Sequence, residues 1–148
     1  MYFNAHKLAH TIGKGEMVRG VACLGDEVFI VYYGKAHVQV FDVDTWSLKR
    51  QLPVTGLTSP GDMVSCAQNS CLYSCNSNGN CVFKIDAKGN TINLTTKISI
   101  YSLSVIAKSN VLAKSNTTCK LVQFTADGRL LREIVLPPII GYHFTLFN

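Results

Sequence analysis

Short stretches of alternating apolar and polar residues run along most of the chain and predict β-strands. The segment from Val38 to Asp42 alternates in this way, and so does the segment from Leu121 to Thr125. The longest apolar run, from Val28 to Tyr33, also has the length of a strand. An α/β fold would need amphipathic helices of roughly 10 to 15 residues between its strands, and the sequence contains none. The pattern therefore predicts an all-β protein.

The hydrophobic pattern repeats along the chain. The segment that begins at Gly20 is followed 43 residues later by one that begins at Met63, and 40 residues further by one that begins at Leu103. In this alignment Cys23 and Cys66 share one apolar position, so we expect both to lie in the core. Each unit continues through a polar turn, a second strand, a loop, a third strand, a tight turn and a fourth strand.

Four short strands in each period of about 40 residues are typical of a β-propeller blade. We therefore predict an all-β partial β-propeller that forms a single domain over residues 1–148. The predicted four-stranded antiparallel blades span about 18–56, 61–98 and 101–137, and orphan strands are predicted at about 7–12 and 142–147. A closed ring needs about four to eight blades. We therefore expect apolar flanks on the first and third blades, and either a larger propeller or a homo-oligomer, most simply a dimer.

The second unit carries a resemblance to a known repeat. Its three matching segments are Ser59–Ser65, Cys71–Asn76 and Asn80–Asp86. Together they are similar to an NHL repeat, in the superfamily of WD40-like and YVTN-like propellers. The sequence departs from that repeat at Cys75-Asn76, where the repeat has Ala-Asp, and it lacks the basic residue before Val82. NHL propellers occur in tripartite-motif ubiquitin ligases and scaffolds, so the resemblance implies binding of proteins or RNA. The chain has no RING or B-box cysteine pattern, so no ligase activity is implied.

Composition and charge narrow the possible functions. Hydrophobic residues make up 47% of the chain and charged residues 16%, which excludes a disordered protein. The net charge is +5, from 14 basic and 9 acidic residues, and only Lys49 and Arg50 are adjacent basic residues. A nucleic-acid-binding surface requires clustered basic residues. The dispersed charge indicates a mildly basic, solvated surface.

Six cysteines raise the question of a metal site or disulfides. They are Cys23, Cys66, Cys71, Cys75, Cys81 and Cys119. No two of them are separated by two residues, the spacing that zinc ribbons use. We therefore expect that none binds zinc and that most are reduced, with a metal site at Cys71, Cys75 and Cys81 as the minor alternative.

The sequence lacks the long apolar segments that direct proteins into or across membranes, and this predicts where the protein is located. No run approaches the roughly 18 apolar residues of a membrane span. The first ten residues lack the continuous hydrophobic region of a signal peptide. We expect a cytoplasmic protein that has no membrane partner.

One motif resembles a catalytic one. The segment Val40–Thr45 matches the Asp-x-Asp-x-Thr pattern of haloacid-dehalogenase phosphatases, in which one aspartate is the nucleophile. That chemistry also needs Mg²⁺ and a downstream acidic pair, and this segment occupies the position of a hairpin turn in the repeat. We therefore predict no catalytic residue, no cofactor and no metal, and expect that the chain is not an enzyme.

The function that we predict is a non-catalytic interaction module. It would bind a protein or peptide through the loops between second and third strands and through the connections between blades, because rigid scaffolds display binding residues on loops. The candidate partner-binding residues are Tyr33, Lys35, His37, Ser59, Asn76, Asn78, Asn80 and Tyr101. The alternative is binding of RNA or single-stranded nucleic acid through Arg19, Lys35 and His37, with Tyr32 and Tyr33 stacking on bases. A fragment of a propeller hydrolase or lyase is a weaker alternative.

Overall fold

Three four-stranded antiparallel sheets make up the computed structural model, which describes residues 11–115 and 117–137. The first sheet contains β1 (Val18–Leu24), β2 (Glu27–Tyr32), β3 (His37–Asp42) and β4 (Leu48–Pro53). The second contains β5 (Pro60–Cys66), β6 (Cys71–Asn76), β7 (Cys81–Asp86) and β8 (Thr91–Thr95). The third contains β9 (Ile100–Ile106), β10 (Asn110–Ser115), β11 (Lys120–Phe124) and β12 (Leu130–Val135). Consecutive strands are neighbours in every sheet.

This architecture confirms the predicted all-β fold with three four-stranded blades. The predicted orphan strand at 142–147 lies outside the described residues, and so does most of the one at 7–12. Of that segment only Thr11 and Ile12 are described, and neither belongs to a strand. In the described part of the chain no helix is long and apolar enough to cross a membrane.

The turns after the first strand of each sheet differ in length. In the first sheet Leu24 pairs with Glu27 across two turn residues, whereas in the second sheet Cys66 pairs with Cys71 across four. The longer turn contains a single 3₁₀ turn, Ala67–Asn69. Leu24 and Cys66 are therefore the equivalent positions, and the alignment at 43 residues is wrong by one residue in these strands.

The prediction that Cys23 lies in the core is consequently wrong. Successive side chains of a strand point to opposite faces, so a slip of one residue reverses the face. Cys23 is exposed, while Cys66 is buried with only 2% of its surface accessible.

Apolar side chains fill the space between neighbouring sheets. Between the first and second sheets, Phe29 and Val31 pack in one cluster with Leu72 and Phe83. A second cluster joins the second and third sheets in the same way. Successive side chains along the strands of the second sheet point to opposite faces. Both faces are apolar, because each packs against a neighbouring sheet.

The outward face of the first sheet is buried in part. Val28, Ile30, Tyr32 and Phe41 form a third cluster, against which Ile12 packs. All four of these residues are buried. Val21, which pairs with Ile30 on the same face, is 52% exposed, so this blade retains part of the expected apolar flank.

The third sheet also exposes apolar side chains. Leu130, Leu131 and Val135, all in β12, are exposed. This outer strand therefore retains part of the apolar flank expected for the third blade.

An ion-pair cluster of Glu27, Lys49 and Arg50 in the first sheet also contacts the second sheet, and we call it the Glu27 latch. Arg50 in β4 donates to both carboxylate oxygens of Glu27, at 2.5 and 2.7 Å, and its Nη2 also donates to the carbonyl oxygen of Ala87 at 3.0 Å. Lys49 lies 2.9 Å from the same carboxylate. Ala87 follows β7, so the guanidinium bridges two sheets.

The second sheet holds the third through an equivalent contact. Lys84 Nζ and the Tyr73 hydroxyl donate to the carbonyl oxygen of Ala126, at 3.1 and 3.0 Å. Ala126 occupies the same place in the turn after β11 as Ala87 does in the turn after β7. We call each contact between neighbouring sheets a seam. The two seams thus use different side chains to bind backbone carbonyl groups in equivalent positions.

A glycine of each following sheet also packs on a leucine of the preceding one. A Cβ on Gly89 would lie 3.2 Å from Leu52 Cδ2, and a Cβ on Gly128 would overlap Leu94 Cδ2. Both glycines have φ of +90°, which L-residues rarely adopt. In the first sheet Trp46 takes this place, with φ of 56° and its N–H donated to the Asp42 carbonyl.

We expect Gly128→Ala to lower the free energy of unfolding by about 2 to 3 kcal/mol, because the new methyl group would both strain the backbone and overlap Leu94. Gly25→Ala is the matched control, since Gly25 also has positive φ but a Cβ there would meet nothing within 4 Å. The control should lose about 1 kcal/mol. Urea unfolding measures both, and equal losses would contradict the tight seam.

The Glu27 latch should make stability depend on pH. The hydrogen bonds from Arg50 lower the pKa of the Glu27 carboxyl from 4.5 to about 2. A pKa lowered in the folded state contributes stability that is complete above the unfolded value and is lost as the pH falls towards 2. Because Arg50 and Lys49 are partly solvated, we expect about 1 to 2 kcal/mol at neutral pH.

The difference between the wild type and Glu27→Gln isolates this contribution, since the pKa values of Asp42 and Asp86 are also lowered and remain so in both proteins. Urea unfolding should show the difference shrinking between pH 5 and pH 2. A difference that stays constant over this range would refute the latch.

Candidate functional site

The two ends of the sheets carry different connections. At one end lie the loops between second and third strands and the connections between sheets, and we call this end the loop face. At the other end lie the remaining turns, and we call it the turn face; there the Val43 N–H donates to the Asp26 carbonyl at 3.0 Å. All eight predicted partner-binding residues lie at the loop face.

The first loop presents an aromatic ring beside basic groups. Tyr33 is 52% exposed, and the guanidinium carbon of Arg19 lies 4.9 Å from the centroid of its ring. The Tyr33 N–H donates to the Met17 carbonyl at 2.8 Å, which fixes the backbone beneath the ring. Lys35 Nζ lies 3.3 Å from Glu16 Oε1. We call Glu16, Arg19, Tyr33 and Lys35 the first-loop patch.

Two of the predicted residues in the second sheet are structural. Asn76 is buried, and its Oδ1 accepts the N–H of Ser59 at 2.7 Å. Its Nδ2 donates to the Gly56 carbonyl and to Thr58 Oγ1, both at 3.2 Å. The side chain thus satisfies the polar backbone of the connection from the first sheet. Ser59 is buried as well, so neither residue is accessible to a partner.

Further hydrogen bonds extend this arrangement to the third sheet. Ser59 Oγ lies 2.9 Å from Ser77 Oγ, and Ser99 Oγ donates to the Ser77 carbonyl at 3.2 Å. Gly61 lies so close to the start of β9 that a Cβ there would stand 3.1 Å from the Tyr101 carbonyl oxygen. The Tyr101 side chain itself is 42% exposed. The backbone at this ring therefore packs closely against the second sheet.

The exposed members of the predicted set are Tyr33, Lys35, Asn78, Asn80 and Tyr101, while His37 is half-buried. Tyr32, which the nucleic-acid alternative would use for stacking, is fully buried. That part of the alternative is wrong, because no base can reach the ring. The structure brings Tyr33 and Lys35 together with Arg19 but gives no contact between this patch and Tyr101.

Sequence analysis missed Asp62. Its Oδ2 accepts the N–H of Leu103 at 2.9 Å and the hydroxyl of Ser102 at 3.1 Å, and its Oδ1 accepts the N–H of Met63 at 2.8 Å. Burial raises the pKa of this carboxyl. The residue joins the first strands of the second and third sheets. An acidic residue inside an apolar strand segment was the available signal.

A cavity of about 800 Å³ runs along the first strands of the three sheets. Its walls are β1, β5, β9 and the turns that follow β5 and β9. Its polar lining includes Ser65 and Ser104, and Ser109 Oγ donates to Gln68 Oε1 at 2.5 Å across it. The volume is that of a small-molecule site. Among residues 11–115 and 117–137, no cluster of three His, Cys, Asp or Glu side chains could hold a metal ion.

The phosphatase-like segment forms a hairpin turn, as predicted from its place in the repeat. Asp42 Oδ1 accepts the backbone N–H groups of Asp44 and Thr45, at 3.1 and 2.9 Å. These bonds hold the pKa of Asp42 below its usual value. The carboxylate stabilises the turn.

Neither a protein-family model nor a curated protein matches the sequence. Solved structures do match the fold. Virginiamycin B lyase from Staphylococcus aureus is similar over 82% of this chain and 42% of its own, with a TM-score of 0.68 and 16% identity. Hydrazine synthase from Kuenenia stuttgartiensis is similar over 92% of this chain and 40% of its own, with a TM-score of 0.72 and 12% identity.

A third match has a more similar length. The computationally designed Ika4 protein is similar over 90% of this chain and 80% of its own, with a TM-score of 0.64 and 16% identity. By contrast, the chain spans only about two fifths of the length of the lyase and synthase chains. These likenesses show a propeller-like fold.

We expect Asn76→Ala to destabilise the protein by about 2 to 3 kcal/mol, because it leaves the buried N–H of Ser59 without a partner and removes the hydrogen bonds to Gly56 and Thr58. Asn78→Ala, in the same loop but exposed, is the matched control and should change stability by less than about 0.5 kcal/mol. Thermal and urea unfolding test both variants. If Asn76→Ala behaves like the control, the assigned structural role is wrong.

Proposed function

We propose that the chain is a non-catalytic interaction module of the NHL-repeat-like, WD40-like kind, which binds a protein or peptide through its loop face. The observation that carries this proposal is the pair of exposed tyrosines, Tyr33 and Tyr101, on a hydrogen-bonded backbone. Tyrosine is enriched at protein interfaces because its ring buries a large area with little loss of side-chain entropy.

Rigidity supports the same proposal. The amide of Asn76 and the hydroxyls of Ser59 and Ser77 are used within the protein, so they hold the loops in place. Binding to a preorganised surface avoids the entropic cost of ordering loops. What the loop face offers to a partner is therefore chiefly aromatic surface and flexible charged groups at its margin.

Electrostatics favour a partner segment that carries an acidic residue beside an apolar one. The Arg19 guanidinium stacks on Tyr33, and among the described residues no carboxylate forms a salt bridge with it. An incoming carboxylate could bind the guanidinium in a bidentate manner while its neighbour packs on the ring. Lys35 is already paired with Glu16, so it would influence association rates more than affinity.

The wider context of the module belongs to the proposal too. Because the chain spans about two fifths of the two enzymes, we propose that it acts within a larger propeller or with a second copy of itself. All six thiols are free, which suits the reducing cytoplasm that we propose as its location. The lyase and synthase activities are those of the matched proteins, and neither is assigned to this chain.

The proposal can be tested with a random peptide library displayed on phage. Enriched peptides should bind the wild type, and the double variant Tyr33→Ala/Tyr101→Ala should bind them at least roughly tenfold more weakly, since each ring contributes about 1 to 2 kcal/mol. Fluorescence anisotropy with the isolated peptides measures the affinities.

Trp46→Ala is the control, because Trp46 is an exposed aromatic residue, 38% accessible, on the turn face. It should leave the affinity unchanged. Loss of binding only in Trp46→Ala would place the interface at the turn face and would contradict the proposal. Tighter binding of single-stranded oligouridine, with an affinity that falls steeply with salt, would favour the nucleic-acid alternative.

A further inference from the structure

Two cysteines face each other across one hairpin of the second sheet. Cys66 ends β5, Cys71 begins β6, and the two are directly paired across the antiparallel ladder. Directly paired residues have Cα atoms about 4.5 to 5.5 Å apart. A disulfide needs a Cα separation of about 4.4 to 6.8 Å. The backbone therefore places these two residues, which belong to one buried cluster, at a separation that a disulfide can span.

This pairing is peculiar to the second sheet. At the equivalent positions the first sheet has Leu24 opposite Glu27, and the third has Ile106 opposite Asn110. Neither of those pairs can form a covalent link. The repeat therefore does not require two thiols here, and their chemistry is an addition to the fold.

The two thiols differ in access. Cys66 lines the 800 Å³ cavity, whereas Cys71 does not. Cys66 is itself buried, so oxidised glutathione reaches its sulfur from the cavity when this wall opens locally, and it then meets Cys66 before Cys71. Burial raises the pKa of the Cys71 thiol, which makes Cys71 the weaker first nucleophile.

We propose that Cys66 and Cys71 form a redox modification site that closes to a reversible disulfide by exchange with a small-molecule disulfide of the glutathione class. This inference does not depend on the proposed function.

The exchange has two steps. The Cys66 thiol loses its proton to solvent, and its thiolate attacks one sulfur of oxidised glutathione, whose S–S bond breaks and releases a glutathione thiolate that takes up a proton. The Cys71 thiol then loses its proton, its thiolate attacks the Cys66 sulfur, and the bond to the second glutathione breaks to release a thiolate that takes up a proton. Two protein thiols are oxidised to one disulfide, and one oxidised glutathione is reduced to two glutathione molecules.

The disulfide would close the turn from Ala67 to Ser70, which forms part of the cavity wall. Gln68 in this turn accepts a hydrogen bond from Ser109 in the corresponding turn of the third sheet. Oxidation would therefore restrict the movement of the wall where the second and third sheets meet.

The test uses the full chain, folded, with oxidised glutathione. After incubation the protein is denatured in the presence of N-ethylmaleimide and digested with chymotrypsin. Cleavage after Tyr73 gives a peptide that contains Cys66 and Cys71 but neither Cys75 nor Cys81. We expect this peptide to lose two hydrogen atoms and all maleimide labelling, and to regain two labels after treatment with dithiothreitol.

Two variants distinguish the steps. Cys71→Ala should retain one glutathione on Cys66, because no second thiol can displace it, whereas Cys66→Ala should take up none at Cys71. A Cys23→Ser/Cys119→Ser background removes the two exposed thiols and should leave the result unchanged. Full maleimide labelling of both cysteines under conditions that modify Cys23 in the wild type, or a link between Cys71 and Cys75, would overturn the proposal.

Discussion

The packing of each sheet against the next is the constraint on which the structure depends. A four-stranded sheet with two apolar faces is not stable alone, because each face must be covered. At both described seams a leucine of the outer strand meets a glycine of the following sheet, and a basic side chain binds the same backbone carbonyl. The apolar clusters supply most of the stabilisation, and these polar and steric contacts fix how the sheets are aligned.

The same alignment determines what the loop face can offer. Asn76 and Asp62 lie at the places where one sheet continues into or meets the next, and their polar atoms satisfy backbone groups that the junction would otherwise bury without partners. Residues that look available in the sequence are thereby removed from the surface. The aromatic rings of Tyr33 and Tyr101 have no such internal role, and they remain accessible.

Most of the fold was predictable because it rests on local signals. Alternation and glycine turns define the strands, and a period of about 40 residues defines the sheets. The register was not predictable, because turns of two and four residues give similar hydrophobic patterns when aligned at an intermediate offset. That is why Cys23 was placed in the core. The roles of Asn76 and Ser59 could not be read from the sequence either, since an asparagine in a loop is exposed or buried according to contacts made by distant segments.

Trp46 makes the first repeat unsuitable for tandem duplication, whereas the second repeat has no such obstacle. In the second and third sheets the left-handed position of the turn is a glycine, and the absence of a side chain there makes room for the leucine of the neighbouring sheet. In the first sheet Trp46 holds the left-handed position, so a side chain begins where the glycines have none. A protein engineer who wished to lengthen the array would therefore duplicate the second repeat, whose two seams are mutually compatible. Copies of the first repeat placed in tandem would set a bulky ring against each leucine, and the stack would not close up.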